Sequence, residues 1–175
     1  MLDHLWNGWR AAYVQNWSET AGTVAEPLEG SIFTSILNSG LSDEETFVVR
    51  RGLRCFAILN AFPYAPGHLL VLPFREVANL EDLTVDESSE LWAMVTEATR
   101  VLKVSYQPQA FNVGLNLGPV SGGSISQHLH VHVVPRWAGD TNFMTVVANT
   151  RTLPESLVDS AEKVRKNWQN LPRLL

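Results

Sequence analysis

Cys55 is the sole cysteine in 175 residues, so no intrachain disulfide can form and no cysteine-rich metal site can be built. Its setting, Leu53-Arg54-Cys55-Phe56-Ala57, is that of a small core side chain. Basic residues are also few: 13 Lys and Arg stand against 18 Asp and Glu, a formal net charge of -5. That balance excludes a broad basic surface for nucleic acid, and any anionic ligand has to be held locally. No apolar run is long enough to span a membrane, and Met1-Leu2-Asp3-His4-Leu5-Trp6-Asn7 lacks the basic start and apolar middle of a signal peptide. A cytoplasmic protein is expected, with neither membrane nor nucleic acid as partner. Internal repeats and low-complexity runs are absent too, and 45% hydrophobic with 18% charged residues suits one compact domain over 1–175.

Against these absences stands one local excess. Three of the five histidines fall in Gln127-His128-Leu129-His130-Val131-His132-Val133-Val134-Pro135, each followed by an apolar residue. The alternation has the period of a β-strand, which would put His128, His130 and His132 on one face, neighbours about 6.6 Å apart, with Leu129, Val131 and Val133 on the other. One face is then core and the other chemistry. Imidazole is a nucleophile, proton carrier or metal ligand near neutral pH, and it offers no packing advantage over valine. A row of half-exposed polar residues without chemistry is the plainer alternative.

Around this strand the chain reads as alternating strands and helices. Trp6, Trp9, Arg10 and Tyr13 form an aromatic cluster on a helical face of an N-terminal arm, and Ser18 to Gly30 is a loop. A short helix over Ile32–Leu37 stops at Asn38-Ser39-Gly40, where glycine can take the left-handed cap. Thr46–Val49 and Arg54–Leu59 are expected strands around a turn at Arg51-Gly52, and His68–Pro73 a third, after a connection stiffened by Pro63 and Pro66. Thr84-Val85-Asp86-Glu87 has capping-box spacing and opens a helix striped by Leu91, Val95, Ala98 and Leu102, with Trp92 and Met94 read as core. Gln109 to Leu117 alternates, with Phe111, Val113, Leu115 and Leu117 on one side and Asn112, Gly114 and Asn116 on the other. It leads into Gly118-Pro119-Val120-Ser121-Gly122-Gly123-Ser124. Such a turn is an ordinary hairpin loop or, beside three histidines, a backbone nest for phosphate oxygens. Leu157, Ala161, Val164 and Trp168 mark a last helix, about 154–170, opened near Pro154.

His128-x-His130-x-His132 followed by two apolar residues resembles the signature of the histidine triad (HIT) family of nucleotide hydrolases and transferases. Asn60 with Pro66-Gly67-His68-Leu69-Leu70-Val71-Leu72-Pro73 is similar to the family's ribose-binding segment, and Asn116 with Gly122-Gly123-Ser124 to its phosphate-side loop. Leu5-Trp6 to Trp9-Arg10, Asn112-Val113-Gly114-Leu115-Asn116 and His132-Val133-Val134-Pro135-Arg136-Trp137 look most like bacterial diadenosine tetraphosphate phosphorylase-type members. The resemblance implies an α+β fold, a five-stranded antiparallel sheet with flanking helices, paired into a homodimer. It implies a covalent nucleotidyl-histidine intermediate in which His130 attacks the α-phosphorus and the main-chain carbonyl of His128 fixes its tautomer. His132 contacts phosphate and leaving-group oxygens and His68 supports the cluster. Asn60 holds the ribose, and donors around Asn116, Gly123 and Ser124 stabilise the phosphoryl oxygens. Apart from the resemblance, Gln127 is a further candidate for substrate binding, and Trp137 either shapes the base or second-nucleotide pocket or packs in the core.

The departures matter as well. Many relatives bind a structural zinc through a Cys-x-x-Cys pair and a histidine after the upstream strand; here Ser31, Thr34 and Glu76 stand at those positions, which speaks against zinc. Ile125 stands where simple hydrolases of the family commonly have Ser or Thr, which favours the phosphorylase-type branch. The expected reaction is phosphorolysis of diadenosine tetraphosphate to ADP and ATP, with inorganic phosphate as acceptor and no cofactor. Ser121, Ser124, Ser126, Gln127 and Arg136 are the expected donors for that second anion. Water as acceptor, a metal held by the His-x-His strand with His68 or Glu76, and a nucleotide-binding protein without turnover are the alternatives.

Overall fold

The computed structural model describes residues 30–123, 125–140 and 155–172; the N-terminal arm, Ser124 and Pro154 lie outside them. Ser31 caps helix α1 (Ile32–Asn38) by accepting from the Thr34 amide, and the helix ends at Ser39 before Gly40 at φ 74°. Ser42 and Glu45 then close a reciprocal capping box at the head of the one-turn helix α2 (Asp43–Thr46). This corrects the expected strand over Thr46–Val49. The Thr46 hydroxyl is turned back onto the Ser42 carbonyl at 2.8 Å, Phe47 takes the left-handed conformation at φ 59°, and strand β1 (Val48–Arg51) starts only after them.

Strands β2 (Cys55–Leu59) and β3 (Leu69–Pro73) are buried along their whole length. Helix α3 (Val85–Tyr106) opens on the expected Thr84–Glu87 capping box and ends at Gln107 in the left-handed region. Strands β4 (Ala110–Leu115) and β5 (Val131–Arg136) follow, and Ser156 caps helix α4 (Leu157–Gln169). The five strands form one antiparallel sheet in the order β1-β2-β3-β5-β4, as expected.

The sheet separates two apolar layers. On one side α3 and α4 cover Ala57, Leu69, Val71, Val131 and Val133 with the stripe Leu91, Val95, Ala98 and Leu102. Each such side chain contributes about 1.5–3 kcal/mol when fully withdrawn from water. Trp92 is not part of that core: it is 44% exposed, one position off the stripe, while Met94 is buried. On the other side α1 lays Phe33 over Val48, Phe56, Ile58, Leu70 and Leu72. Gly67, at φ 74°, lets the chain pass close to α3, where a Cβ would lie 2.6 Å from the Tyr106 ring; the turn delivers His68 to the head of β3.

The histidine segment keeps its alternation but is a strand only in its second half. Leu70 faces His132 and Val71 faces Val131 across the β3–β5 ladder, and the ladder stops there. Continued, it would meet Pro73, which has no N–H to offer, and the Leu129 amide donates instead to the Val77 carbonyl at 2.6 Å. His128 and His130 thus sit on the approach to β5, on the α1 face, with Leu129 buried on the α3 face. β4 is an edge strand, so Phe111 and Leu115 are only half-covered and Val113 stays exposed. No described helix is long and apolar enough to cross a membrane.

Candidate active site

The ring Nδ1 of His130 lies 2.8 Å from the main-chain carbonyl of His128. A carbonyl only accepts, so Nδ1 carries the proton and Nε2 keeps its lone pair. The ring is 6% exposed and packs 5.4 Å from Phe33. Burial is the main cause that lowers its pKa, offset in part by the bond to the His128 carbonyl and reinforced by the nearby His128 ring. The outcome is a neutral imidazole with a fixed tautomer, as a nitrogen nucleophile requires.

A second chain of bonds sets the partner histidine. The Tyr64 amide donates to His68 Nδ1 at 3.1 Å, and the Asn60 side-chain nitrogen lies 3.3 Å from the same atom. The proton of a neutral His68 is therefore on Nε2, 3.0 Å from His132 Nδ1. His132 Nδ1 accepts it, which leaves the His132 proton on Nε2; the Asn116 side-chain nitrogen, 3.5 Å away, is itself a donor and does not take that proton. Two adjacent imidazoles, their centroids 5.0 Å apart, thus differ in role: His130 offers a lone pair and His132 a proton. Tyr64, which orders this chain through its backbone and lies 4.6 Å from the His68 ring, escapes a reading of sequence; the rigid Pro63–Pro66 connection is its one signal.

His128 is wholly buried and its ring nitrogens are both engaged, Nε2 with the Pro73 carbonyl at 2.9 Å and Nδ1 with the Ser31 hydroxyl at 2.7 Å. Burial lowers its pKa as well. Ser31 and Thr34 in turn bond Glu76 Oε2 at 2.6 and 2.7 Å, and these two bonds hold the Glu76 carboxyl below its usual range. These are the positions at which zinc-binding relatives carry their ligands. The donors here do not fit zinc: two are neutral hydroxyls, and both nitrogens of the one imidazole are committed to hydrogen bonds. Among the described residues no group of three or more His, Cys, Asp or Glu is placed to hold a metal.

Two cavities meet at His132, Asn116 and Tyr64. The larger, about 590 Å³, is walled by Ile32, Phe33, Ile36, Phe47 and Ile58, with Asn60 and His130 also in its lining. Its size and apolar walls suit a nucleoside. Gly123 and Gln127 border it, so His130, His132, Asn60, Asn116, Gly123 and Gln127 are brought together around one cavity, with His68 and His128 behind them. Asn60 also accepts from the Phe62 amide at 3.0 Å, which ties it to its own turn. The smaller groove, about 420 Å³, runs along β4 and β5 to Arg136.

Other expected residues are placed differently. Trp137 lines neither cavity; it is half-buried in the turn after β5, its amide donating to Asp140 at 3.1 Å. Arg136 is bound bidentately by Asp140 at 2.5 and 2.8 Å and also donates to Asn112, and the Ser121 hydroxyl donates to the Gly118 carbonyl. Those two phosphate donors are already engaged, which weakens the count of spare donors that sequence suggests. Cys55 is a core residue: burial, with Glu90 and Glu87 nearby, pushes its thiol up to about 12, so it is no nucleophile.

The HIT domain profile matches residues 42–139. A protein of Mycobacterium tuberculosis named AP-4-A phosphorylase is 45% identical over 176 residues, covering 98% of this chain and 87% of its own. The bis(5'-adenosyl)-triphosphatase of Saccharomyces cerevisiae is 39% identical over 83 residues, 47% of this chain and 40% of that one. Among solved structures, a histidine triad nucleotide-binding protein of Sulfolobus tokodaii superposes with a TM-score of 0.64 at 27% identity, covering 80% of this chain and 93% of its own. The chain belongs to the HIT family.

Proposed function

We propose that the protein is a nucleotidyltransferase that cleaves diadenosine tetraphosphate by phosphorolysis, releasing ATP and ADP through a covalent adenylyl-His130. The observation that carries the reading is the His130 Nδ1 bond to the His128 carbonyl, which leaves Nε2 unprotonated on a residue that lines a nucleoside-sized cavity. Nε2 attacks the α-phosphorus, the bond to the bridging oxygen breaks, and ATP departs with the proton offered by His132 Nε2. A phosphate oxygen then attacks the same phosphorus, the N–P bond breaks, and ADP leaves with His130 restored. Asn116 and the backbone around Gly123 face the phosphoryl oxygens, where charge builds in both steps. The groove beyond His132 gives the departing half of the substrate room.

Phosphate rather than water as acceptor is supported by the relative named AP-4-A phosphorylase, which aligns over nearly the whole chain. The reaction uses no metal or other cofactor. The exposed edge strand β4 and the family resemblance support a homodimer.

Incubation with diadenosine tetraphosphate and labelled inorganic phosphate should place the label in ADP beside unlabelled ATP. Production of AMP and ATP at a rate indifferent to phosphate would make the protein a hydrolase.

A further inference from the structure

We propose that Ser31, Thr34 and Glu76 form a metal-free clamp that sets the position and tautomer of His130, with Glu76 a positioning residue for nucleotidyl transfer. The inference rests on the adenylyl-His130 reading and deepens it. None of the three residues lines either cavity, so none acts on substrate directly.

The direction of every proton in the cluster follows from its partners. Glu76 Oε2 only accepts when ionised, and it receives the Ser31 amide at 2.6 Å and the Thr34 hydroxyl at 2.7 Å. The Thr34 proton is then committed. The Ser31 hydroxyl accepts from the Thr34 amide at 3.2 Å as the cap of α1, and its own proton goes to the 2.7 Å contact, His128 Nδ1. His128 must then carry its proton on Nε2, where the Pro73 carbonyl accepts at 2.9 Å. Ser31 Oγ also lies 3.2 Å from Thr34 Oγ1, but the shorter contacts, and the Pro73 carbonyl that only accepts, give neutral His128 its proton on Nε2 and leave Nδ1 to accept from Ser31.

The consequence reaches the nucleophile through the backbone. The His128 ring is pinned by Pro73, Ser31 and the edge of Phe33, 5.5 Å away, so its main-chain carbonyl is pinned as well. That carbonyl receives His130 Nδ1–H. The clamp joins residues 97 and 45 positions apart, drawing the start of α1 and the turn after β3 onto the triad. Gly30, at φ 95°, permits the approach, because a Cβ there would lie 2.8 Å from Glu76 Oε2. Without Ser31 the buried His128 Nδ1 loses its donor, and the simplest remedy is a change of tautomer that releases Pro73.

The test compares Glu76→Ala and Ser31→Gly with Glu76→Gln and Ser31→Thr, on the full chain, with diadenosine tetraphosphate and phosphate. Glycine caps a helix nearly as well as serine, so Ser31→Gly removes the hydroxyl more than the cap. Glutamine keeps an acceptor oxygen and threonine keeps a hydroxyl. The first pair should lose about ten- to hundredfold in kcat, the range for removing a group that orients a histidine. KM should move less than roughly threefold, and the second pair should stay near wild type. Nitrogen-15 spectra of the histidine rings should show His130 leaving the pure Nδ1–H form in the first pair only, a readout independent of turnover. Unchanged kcat and an unchanged His130 tautomer would overturn the clamp; so would a rise in KM at constant kcat, which would assign these residues to the cavity wall. If Glu76→Ala does not fold, Thr34→Val, which deletes one donor without a void, should show the same tautomer shift and is read by the same criterion. Inactivity of the wild-type protein would instead count against adenylyl transfer itself.

Discussion

His130 and His132 face the same cavity in opposite protonation senses. His130 donates from Nδ1 to the His128 carbonyl at 2.8 Å, whereas His132 accepts at Nδ1 from His68 Nε2 at 3.0 Å. Two identical side chains, two residues apart, therefore present a lone pair and a proton to the same cavity. On the proposed mechanism, His130→Ala deletes the attacking atom but few of the contacts that hold the nucleotide. Turnover should fall by more than about a thousandfold with nucleotide binding largely retained. His68→Ala or His132→Ala should cost less, on the order of 10²–10³, because a proton donor assists a step that the nucleophile makes possible. Steady-state rates and equilibrium binding of a non-cleavable analogue check both, and activity of His130→Ala within about tenfold of wild type would remove it as nucleophile.

The same burial that keeps His130 neutral sets the acid limit. Burial lowers the pKa of both His128 and His130, so the folded protein resists protonation at pH values where free histidine, at about 6.5, is already charged. The acid limb of kcat/KM should lie below the ordinary histidine range. Stability should behave in the matching sense. Below about pH 6.5 the unfolded chain takes up protons on these two rings that the folded chain refuses, so unfolding becomes easier as pH falls, until the folded pKa values are reached. Denaturant midpoints measured from about pH 7.5 to 5 should therefore decrease towards acid, and His128→Asn should flatten that slope. A limb at or above about pH 6.5 with a flat stability profile would contradict the burial argument.

Much of this arrangement is legible in the amino-acid sequence. The two-residue spacing of His128, His130 and His132 separates the α1 face from the α3 face correctly, because alternation survives even where Pro73 ends the strand ladder. Thr84–Glu87 announces α3, yet Ser42–Glu45 has the same spacing, and a strand drawn through Thr46 and Phe47 ignores it. Trp92 is misplaced by its hydrophobicity, which says nothing of a side chain one position off the buried stripe. The bond from Ser31 to His128 spans 97 residues, a distance over which no periodicity carries information. Residue type makes Ser31 and Thr34 poor ligands for zinc while Glu76 could serve as one, and only the fold makes the three bond to one another. Arg136 shows the converse failure: a cation near the triad has the chemistry of a phosphate donor, and Asp140 and Asn112 hold it.

The donor set around His128 carries the remaining prediction, on metal removal. Zinc sites in proteins rely on thiolates, imidazoles and carboxylates with lone pairs directed at one point. At Ser31, Thr34, Glu76 and His128 the lone pairs are instead directed at one another: Glu76 receives Ser31 and Thr34, and His128 receives Ser31 while donating to Pro73. A zinc ion entering this cluster would have to break those bonds and would find one imidazole nitrogen and one carboxylate in return. Prolonged dialysis against a strong chelator should therefore leave both kcat and the thermal midpoint unchanged, and elemental analysis of protein purified without chelator should find well under one zinc per chain. Where zinc is structural its removal costs folding free energy outright, so the midpoint is the sensitive readout. A midpoint that falls on chelation and returns with added zinc would mean that the cluster rearranges around a metal, and that the hydroxyl clamp is not the state in which the enzyme works.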